Sequence, residues 1–225
     1  MPNHTVATRA DWEAARVELL ATEKRLMRMG DDLARQRRAL PWVRVERDYV
    51  FDAEDGQRSL LDLFGGCSQL IVVHFMYAAE WEEGCPSCSF WADSYDGNMR
   101  HLAARDTGFV ATSSAPIDRL LSYRQRMGWS FPWVSTAGTT FNQDFEVEGT
   151  SRYNYVATEQ PIGESHGISV FARDDGVIYH TYSAYARGVE SFNTTYQLLD
   201  LVPKGRDEDQ LPWTMSWLRR HDQYD

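Results

Sequence analysis

The sequence predicts an α/β fold of three layers, in which a central mixed sheet lies between helices and a long helical arm precedes it. A near-continuous apolar run at residues 70–77 has the length and composition of a strand covered on both faces. Strand-like and helix-like segments alternate after it, and crossovers from strand to helix to strand give parallel neighbours. Two final strand-like segments flank a turn at residues 173–176, which adds an antiparallel hairpin.

The arm is predicted as one amphipathic helix over residues 9–39. Thr8 and Asp11 have the spacing of a capping box, and Pro41 ends the helix. Gly30, followed by two aspartates, is a point at which the helix could divide in two. Apolar residues recur at helical intervals, at Trp12, Ala15, Leu19, Leu26, Met27 and Leu33. Residues 1–41 therefore form an arm that either packs across the main domain or reaches a partner subunit, as in a homodimer.

The main domain is expected to span residues 42–225, with a polar, turn-rich insertion at about residues 136–166. Alternating apolar residues indicate strands, and longer apolar periods closed by glycine or proline indicate helices. The remaining predicted elements are short strands at 43–51, a helix at 59–64, a helix at 85–104, a strand at 108–113, a helix at 117–127, a short apolar segment at 131–135, strands at 168–172 and 177–182, and a helix at 189–199.

The amino-acid composition and net charge exclude some classes of binding partner. The chain has 225 residues, of which 43% are hydrophobic, enough for one large domain with a packed core. A net charge of −10 argues against general binding to nucleic acid or to an anionic membrane surface. The sequence has no apolar stretch of the roughly 20 residues that span a bilayer, and its first residues lack the apolar core of a signal peptide. We expect a cytoplasmic protein.

The chemistry of the sequence is concentrated in Cys85-Pro86-Ser87-Cys88. The pair follows the central strand and begins a helix, which is the thioredoxin-type arrangement. Free N–H groups and the helix dipole at that point favour a thiolate on Cys85. Two intervening residues let Cys88 reach Cys85, and Pro86 suits the first helical position. We predict Cys85 as nucleophile, Cys88 as resolving thiol and a redox-active disulfide between them, with no other cofactor.

Three acidic residues oppose this prediction. Glu80, Glu82 and Glu83 stand just before Cys85, and nearby negative charge disfavours a thiolate. The pKa of Cys85 therefore depends on where these carboxylates point.

Several sequence blocks resemble a known family. They are LLDLFGGCSQLIVVHFM, WEEGCPSCSFWAD, HLAARD, RMGWSFPWVS, GISVF, HTYSAYARG and LDLVPKGRDE. Together they look like the bacterial thioredoxin-like family catalogued as domain of unknown function 899. The resemblance spans about residues 60–208 and implies a thioredoxin-like fold and the activity of a dithiol–disulfide oxidoreductase, with no substrate attached.

Two departures from related families refine the prediction. The long loop before Cys85 is more similar to the peroxiredoxin branch, but Ala78 and Glu82 occupy the positions of its signature proline and threonine. Peroxide activation by that machinery is therefore not expected. Thioredoxins carry a cis-proline before the strand that faces the cysteines, whereas His166 and Gly167 precede residues 168–172 here. His166 is therefore expected near the two sulfurs.

Pro86, His166 and several further residues are candidates for contact with substrate. Trp81 and Trp91 flank the cysteines, and Tyr185 follows in the hairpin. These aromatic side chains either line a pocket for an organic or peptide substrate or belong to the core. Arg187 is a candidate contact for an anion.

The leading hypothesis is a thiol–disulfide oxidoreductase, whose partners are a disulfide-containing protein or small molecule and a reductant. One alternative is a copper- or zinc-binding protein that uses Cys85, Cys88 and His166 as ligands. A second alternative is a non-catalytic binding module that uses the helical arm and the aromatic surface.

Overall fold

The computed structural model describes residues 4–224 and contains an eight-stranded mixed sheet with helices on its two faces. Residues 1–3 of the predicted arm and residue 225 of the predicted main domain lie outside the described residues. The helices are α1 (Arg9–Arg38), α2 (Pro86–Tyr95), α3 (Met99–Ala103), α4 (Ile117–Arg126), α5 (Phe141–Asp144) and α6 (Thr194–Leu199). The strands are β1 (Val43–Arg44), β2 (Val50–Ala53), β3 (Gly56–Ser59), β4 (Gln69–His74), β5 (Thr107–Ser113), β6 (Trp133–Ser135), β7 (Arg152–Tyr153), β8 (Val156–Ala157), β9 (Gly167–Asp174) and β10 (Val177–Tyr185).

The sheet has the strand order β1-β10-β9-β4-β5-β6-β2-β3. Strand β4 pairs in parallel with β5 and antiparallel with β9, and β9 pairs antiparallel with β10. These four strands give the thioredoxin-like core of the sheet, and β6, β2 and β3 extend one side of it while β1 closes the other. The predicted mixed sheet and the thioredoxin-like fold are thereby confirmed.

Strand β4 lies at the centre because both of its faces are apolar. Leu70 and Val72 point into a core that also contains Val110 and Phe171. On the other face, Phe75 just beyond the strand packs in a second core with residues of α2 and α4. A strand buried on both faces favours an interior position in a sheet. His74 is 3% exposed and its Nε2 lies 2.8 Å from Ser169 Oγ, so it is a hydrogen-bonded core residue.

Helix α1 is continuous and Gly30 does not divide it. The Thr8 side chain accepts the N–H of Asp11 at 3.2 Å, and this is the cap that the sequence predicts. The helix contains no buried residue, and Leu26 on its apolar face is 69% exposed. It therefore does not pack across the main domain. Its contact with a partner subunit stays a prediction.

Three predicted helices are shorter than expected. The predicted helix 59–64 is only a 3₁₀ turn at Asp62–Phe64. The predicted helix 85–104 is interrupted by a 3₁₀ turn at Asp96–Asn98, where the Asp96 carboxylate accepts the N–H of Ser130 at 2.6 Å. The predicted helix 189–199 is a 3₁₀ segment at Ala186–Phe192, followed by the short α6. Across residues 4–224 the structure has no helix with the length and apolarity that a bilayer crossing requires.

Candidate active site

Cys85 lies at the carboxyl end of the central strand. After β4 the chain forms a loop and returns, so that the Cys85 N–H donates to the Met76 carbonyl at 3.1 Å. Cys85 is the N-cap residue of α2 and Pro86 is the first residue of the helix. Proline suits that place because the first helical N–H has no partner within the helix. The remaining free N–H groups of the first turn lie beside the Cys85 sulfur.

The two sulfurs of the pair differ in their affinity for a proton. The Cys88 thiol and the N–H groups of Cys88 and Ser87 donate to the Cys85 sulfur and lower its pKa to about 6, although burial acts in the opposite direction. The same thiol contact, together with burial, raises the pKa of Cys88 well above its ordinary value. Both cysteines are free thiols. The arrangement can hold a thiolate on Cys85 while Cys88 keeps its proton.

The acidic residue nearest to Cys85 in the sequence is neutralised by two arginines. Glu83 forms an ion pair with Arg126 and a second one with Arg220, whose Nη1 lies 2.7 Å from Glu83 Oε2. Arg220 also donates from Nη2 to the Gly84 carbonyl at 2.7 Å. These contacts compensate the charge that the sequence places against a thiolate.

A chain of hydrogen bonds joins the same arginine to the start of α2. Arg220 Nε donates to the Tyr123 hydroxyl at 2.8 Å, and that hydroxyl lies 2.9 Å from Ser89 Oγ. Ser89 Oγ in turn donates to the Cys85 carbonyl at 2.9 Å. These bonds connect Arg220 and Tyr123 of α4 to the first turn of α2 at Cys85.

Glu164 is a partly buried carboxyl whose charge acts on Cys88. It accepts hydrogen bonds from the Ser114 hydroxyl and from the Tyr77 N–H. Burial is the main reason that its pKa is raised to about 7. Its negative charge is one of the causes that raise the pKa of Cys88. A carboxyl with this pKa can exchange a proton near neutral pH.

A cleft of about 910 Å³ opens beside the cysteines. Cys85 and Cys88 line it together with Trp91 of α2, with His166, which precedes β9, and with the first two residues of β9. Its volume lies in the range typical of small-molecule sites.

The far wall of the cleft comes from the C-terminal segment, defined here as residues 200–224. Leu211, Trp213 and Met215 of this segment line the cleft. Glu208 holds the wall in place because its Oε1 accepts three hydrogen bonds: from the Trp217 Nε1 at 2.6 Å, from the Tyr196 hydroxyl at 2.8 Å and from the Met215 N–H at 3.1 Å.

The model of a family of bacterial proteins of unknown function, DUF899, matches residues 1–224. The chain belongs to this family. The match confirms the resemblance carried by the sequence blocks and extends it to nearly the whole chain. None of the curated proteins matches the chain.

Among solved structures, the chain is similar to peroxidoxin BcpB from Mycobacterium tuberculosis, with 15% identity and a TM-score of 0.48 over 71% of this chain and 97% of that one. It is also similar to peroxiredoxin Q from Xanthomonas campestris, with 12% identity and a TM-score of 0.49 over 65% and 85% of the two chains. A mutant of PrxQ from Xylella fastidiosa gives 12% identity and a TM-score of 0.45 over 67% and 88%. At this identity the likeness concerns the fold alone.

Three of the predicted substrate contacts line the cleft. Trp91 is held by a hydrogen bond from its Nε1 to the Val189 carbonyl at 3.0 Å. His166 lies beside it, with the two ring centroids 6.4 Å apart, and burial lowers the pKa of His166. Arg187 is highly exposed at the cleft and its Nε lies 2.8 Å from Glu190 Oε2.

The other predicted contacts lie elsewhere. Trp81 packs at the edge of the core between the sheet and α2, and its carbonyl accepts from Arg119 Nη1 at 2.7 Å. Tyr185 is 3% exposed and donates its hydroxyl to the Phe145 carbonyl at 2.9 Å. Pro86 begins α2 but is not among the residues that line the cleft.

The ligand set of the metal-binding alternative is not assembled. Within residues 4–224, no three His, Cys, Asp or Glu side chains are grouped so that they could hold a metal ion. His166 directs its Nε2 to the Ala186 carbonyl at 3.3 Å rather than toward a third ligand position beside Cys85 and Cys88.

Sequence reasoning missed Glu164, Arg220 and the C-terminal wall. Glu164 stands alone in a polar stretch, and Arg220 is one of many arginines in the chain. Neither residue lies in a recognisable motif or in a periodic pattern. Trp213 and Met215 lie in a segment without regular helix or strand, so no pattern indicates which way they face.

Proposed function

We propose that the protein is a thiol–disulfide oxidoreductase that uses Cys85 as nucleophile and Cys88 as resolving thiol. The observation that supports this proposal best is the hydrogen-bonded sulfur of Cys85, with a pKa lowered to about 6, at the side of an open cleft. A thiolate is the attacking species in disulfide exchange, and a pKa below neutral keeps Cys85 in that form.

In the proposed reaction, the Cys85 thiolate attacks one sulfur of a substrate disulfide. A bond forms between Cys85 Sγ and that sulfur, and the other half of the substrate leaves as a thiolate. Cys88 then loses its proton and attacks Cys85 Sγ, which releases the second half of the substrate. The substrate gains two electrons and the protein is left with a Cys85–Cys88 disulfide, which an external dithiol reductant returns to two thiols.

Glu164 is the proposed acceptor of the Cys88 proton. The pKa of Cys88 is raised, so its attack requires a base, and Glu164 is a partly buried carboxyl whose charge already acts on this thiol. With a pKa of about 7, Glu164 is partly ionised at neutral pH and can take the proton before releasing it to water.

The experiment compares wild type with Cys85→Ser, Cys88→Ser and the control Cys67→Ser. Reduction of a disulfide substrate by a dithiol should be lost in Cys85→Ser and unchanged in Cys67→Ser. Cys88→Ser should accumulate a mixed disulfide at Cys85, because the resolving thiol is absent. Mass spectrometry of the oxidised wild type should show a loss of two hydrogens that a dithiol reverses. Full turnover in Cys85→Ser would exclude the proposed function.

A further inference from the structure

The cleft beside the cysteines has no assigned ligand, and the residues that line it indicate which class of substrate it fits. Resting on the proposed function, we propose that this cleft binds the organic part of a small, uncharged aromatic or aliphatic disulfide, with one sulfur of that disulfide placed against Cys85. The site is built jointly by α2 and the C-terminal segment.

The first argument is the composition of the walls. Large apolar side chains line the cleft, among them Met76, Trp91, Tyr95, Leu211, Trp213 and Met215. Trp213 is 68% exposed although it belongs to this apolar wall. A ligand that covers Trp213 removes apolar surface from water, which stabilises the complex.

The second argument is the rigidity of the C-terminal wall. Glu208 ties Met215 and Trp217 to Tyr196 of α6 through the three hydrogen bonds described above. Arg206 also lies over the Tyr196 ring, 4.1 Å from its centroid, and binds Asp200 at 2.8 Å. Because the wall is already ordered, binding does not require the segment to fold first, and less conformational entropy is lost on association.

The third argument is charge. The charged side chains that line the cleft are two cations, Arg187 and Arg206, and three carboxylates, which are Glu190, Glu208 and Asp209. Arg187 and Arg206 both pair with Glu190, so neither guanidinium is left without a carboxylate partner. A thiolate on Cys85 adds a further negative charge. This balance disfavours a disulfide that carries carboxylates and favours an uncharged one.

The test measures the second-order rate at which the reduced full-length protein reacts with two aromatic disulfides. Dithiodipyridine is uncharged at neutral pH, and dithiobis(nitrobenzoate) carries two carboxylates. In each reaction Cys85 displaces one aromatic thiol and Cys88 displaces the other, so both probes take two electrons from the protein. The variants are Trp213→Ala and Met215→Ala. Trp12→Ala on α1 is the matched control, because Trp12 is similarly exposed but lies far from the cysteines in the sequence.

We expect Trp213→Ala to lower the rate with dithiodipyridine about tenfold, which corresponds to about 1.4 kcal/mol of lost binding in the transition state. Trp12→Ala should react as wild type. Alkylation by iodoacetamide, which reports the intrinsic reactivity of Cys85, should be the same in all variants. The rate with dithiobis(nitrobenzoate) should be less sensitive to Trp213→Ala than the rate with the uncharged probe.

Equal rates for wild type and Trp213→Ala with the uncharged probe would overturn the cleft proposal while leaving the proposed function intact. A preference of the wild type for the dianionic probe, relative to the reactivity of a free thiol with the same two probes, would overturn it as well. Preferential reduction of a disulfide in an unfolded peptide over both probes would show a peptide rather than a small molecule in the cleft. Failure to form any Cys85–Cys88 disulfide would instead overturn the proposed function.

Discussion

Helix α1 and the C-terminal segment differ in their secondary structure and in how far they are buried. Helix α1 has thirty residues of regular backbone hydrogen bonds, yet it has no buried residue. The C-terminal segment has only one 3₁₀ turn, at His221–Gln223. Leu218 of this segment is nevertheless only 5% exposed, and other side chains of the segment form the cleft wall. In this molecule, regular secondary structure does not indicate which segments are buried.

The physical reason lies in the range of the contacts. Helix α1 is stabilised by contacts between near neighbours, such as its Thr8 cap and the ion pair of Arg9 with Glu13. The C-terminal segment is anchored by polar side chains that reach distant parts of the chain, as Arg220 does at Gly84. A segment with little regular secondary structure can therefore make more contacts with the site than a long helix does.

The largest expected effect is that of Glu208→Ala. Its carboxylate accepts from Tyr196, Met215 and Trp217, so the change leaves three donors without their partner. We expect the free energy of unfolding to fall by about 3 kcal/mol. Chemical denaturation measures it, with the exposed neighbour Asp209→Ala as control at less than about 0.5 kcal/mol. Equal losses in the two variants would mean that Glu208 does not anchor the segment.

Glu164→Gln should change stability in a manner that depends on pH. Burial raises the pKa of Glu164 from 4.5 to about 7, so the folded protein holds this proton more tightly than the unfolded chain. The stability contributed by this group is therefore present below about pH 4.5 and is lost as pH rises through about 7. Relative to wild type, Glu164→Gln should gain about 2 kcal/mol between about pH 5 and pH 8.

Thermal unfolding at several pH values measures this gain, and the exposed Glu159→Gln controls for the loss of one negative charge. A difference between Glu164→Gln and wild type that stays constant across this pH range would contradict the raised pKa of Glu164.

Arg220→Ala should act on the thiol rather than mainly on the fold. Without Arg220, Glu83 keeps one arginine instead of two and the Gly84 carbonyl loses its donor. We expect the midpoint of Cys85 alkylation against pH, near pH 6 in wild type, to rise by about one pH unit. Arg219→Ala is the matched control, because Arg219 is exposed and bonds only the neighbouring Leu218 carbonyl through its guanidinium.

A second substitution separates the two effects of Arg220. Adding Glu83→Gln to Arg220→Ala should return the alkylation midpoint toward the wild-type value, since the uncompensated charge is then gone. No recovery in the double variant would show that Arg220 acts through its hydrogen bonds to the Gly84 carbonyl and the Tyr123 hydroxyl instead of through the charge of Glu83.

The smallest effect is expected for Leu26→Ala on α1. Leu26 is 69% exposed, so its truncation should change the free energy of unfolding by less than about 0.5 kcal/mol. A larger loss that grows with protein concentration, measured by thermal unfolding together with sedimentation, would show that a second copy covers this face. That result would support the predicted homodimer and would remove the contrast between the two regions.

Local and periodic features of the sequence were sufficient to predict much of the fold. The apolar run of β4, the capped helix α1 and the Cys85-Pro86-Ser87-Cys88 turn at the start of α2 each depend on residues close together in the chain. Their conformations follow from strand burial, helix capping and the free N–H groups of a helix start. The nucleophile can therefore be proposed from the sequence alone.

The surroundings of that nucleophile were decided only by tertiary structure. Arg220 reaches Gly84 across 136 positions of sequence, and Ser114 donates to Glu164 across 50 positions. Aromatic content could not distinguish Trp91, which faces the cleft, from Tyr185, which is buried against Phe145. The sequence alone determined which residue is proposed to carry the reactive sulfur. The folded chain decided its proton affinity and the shape of its cleft, because both depend on charges and walls contributed by remote segments.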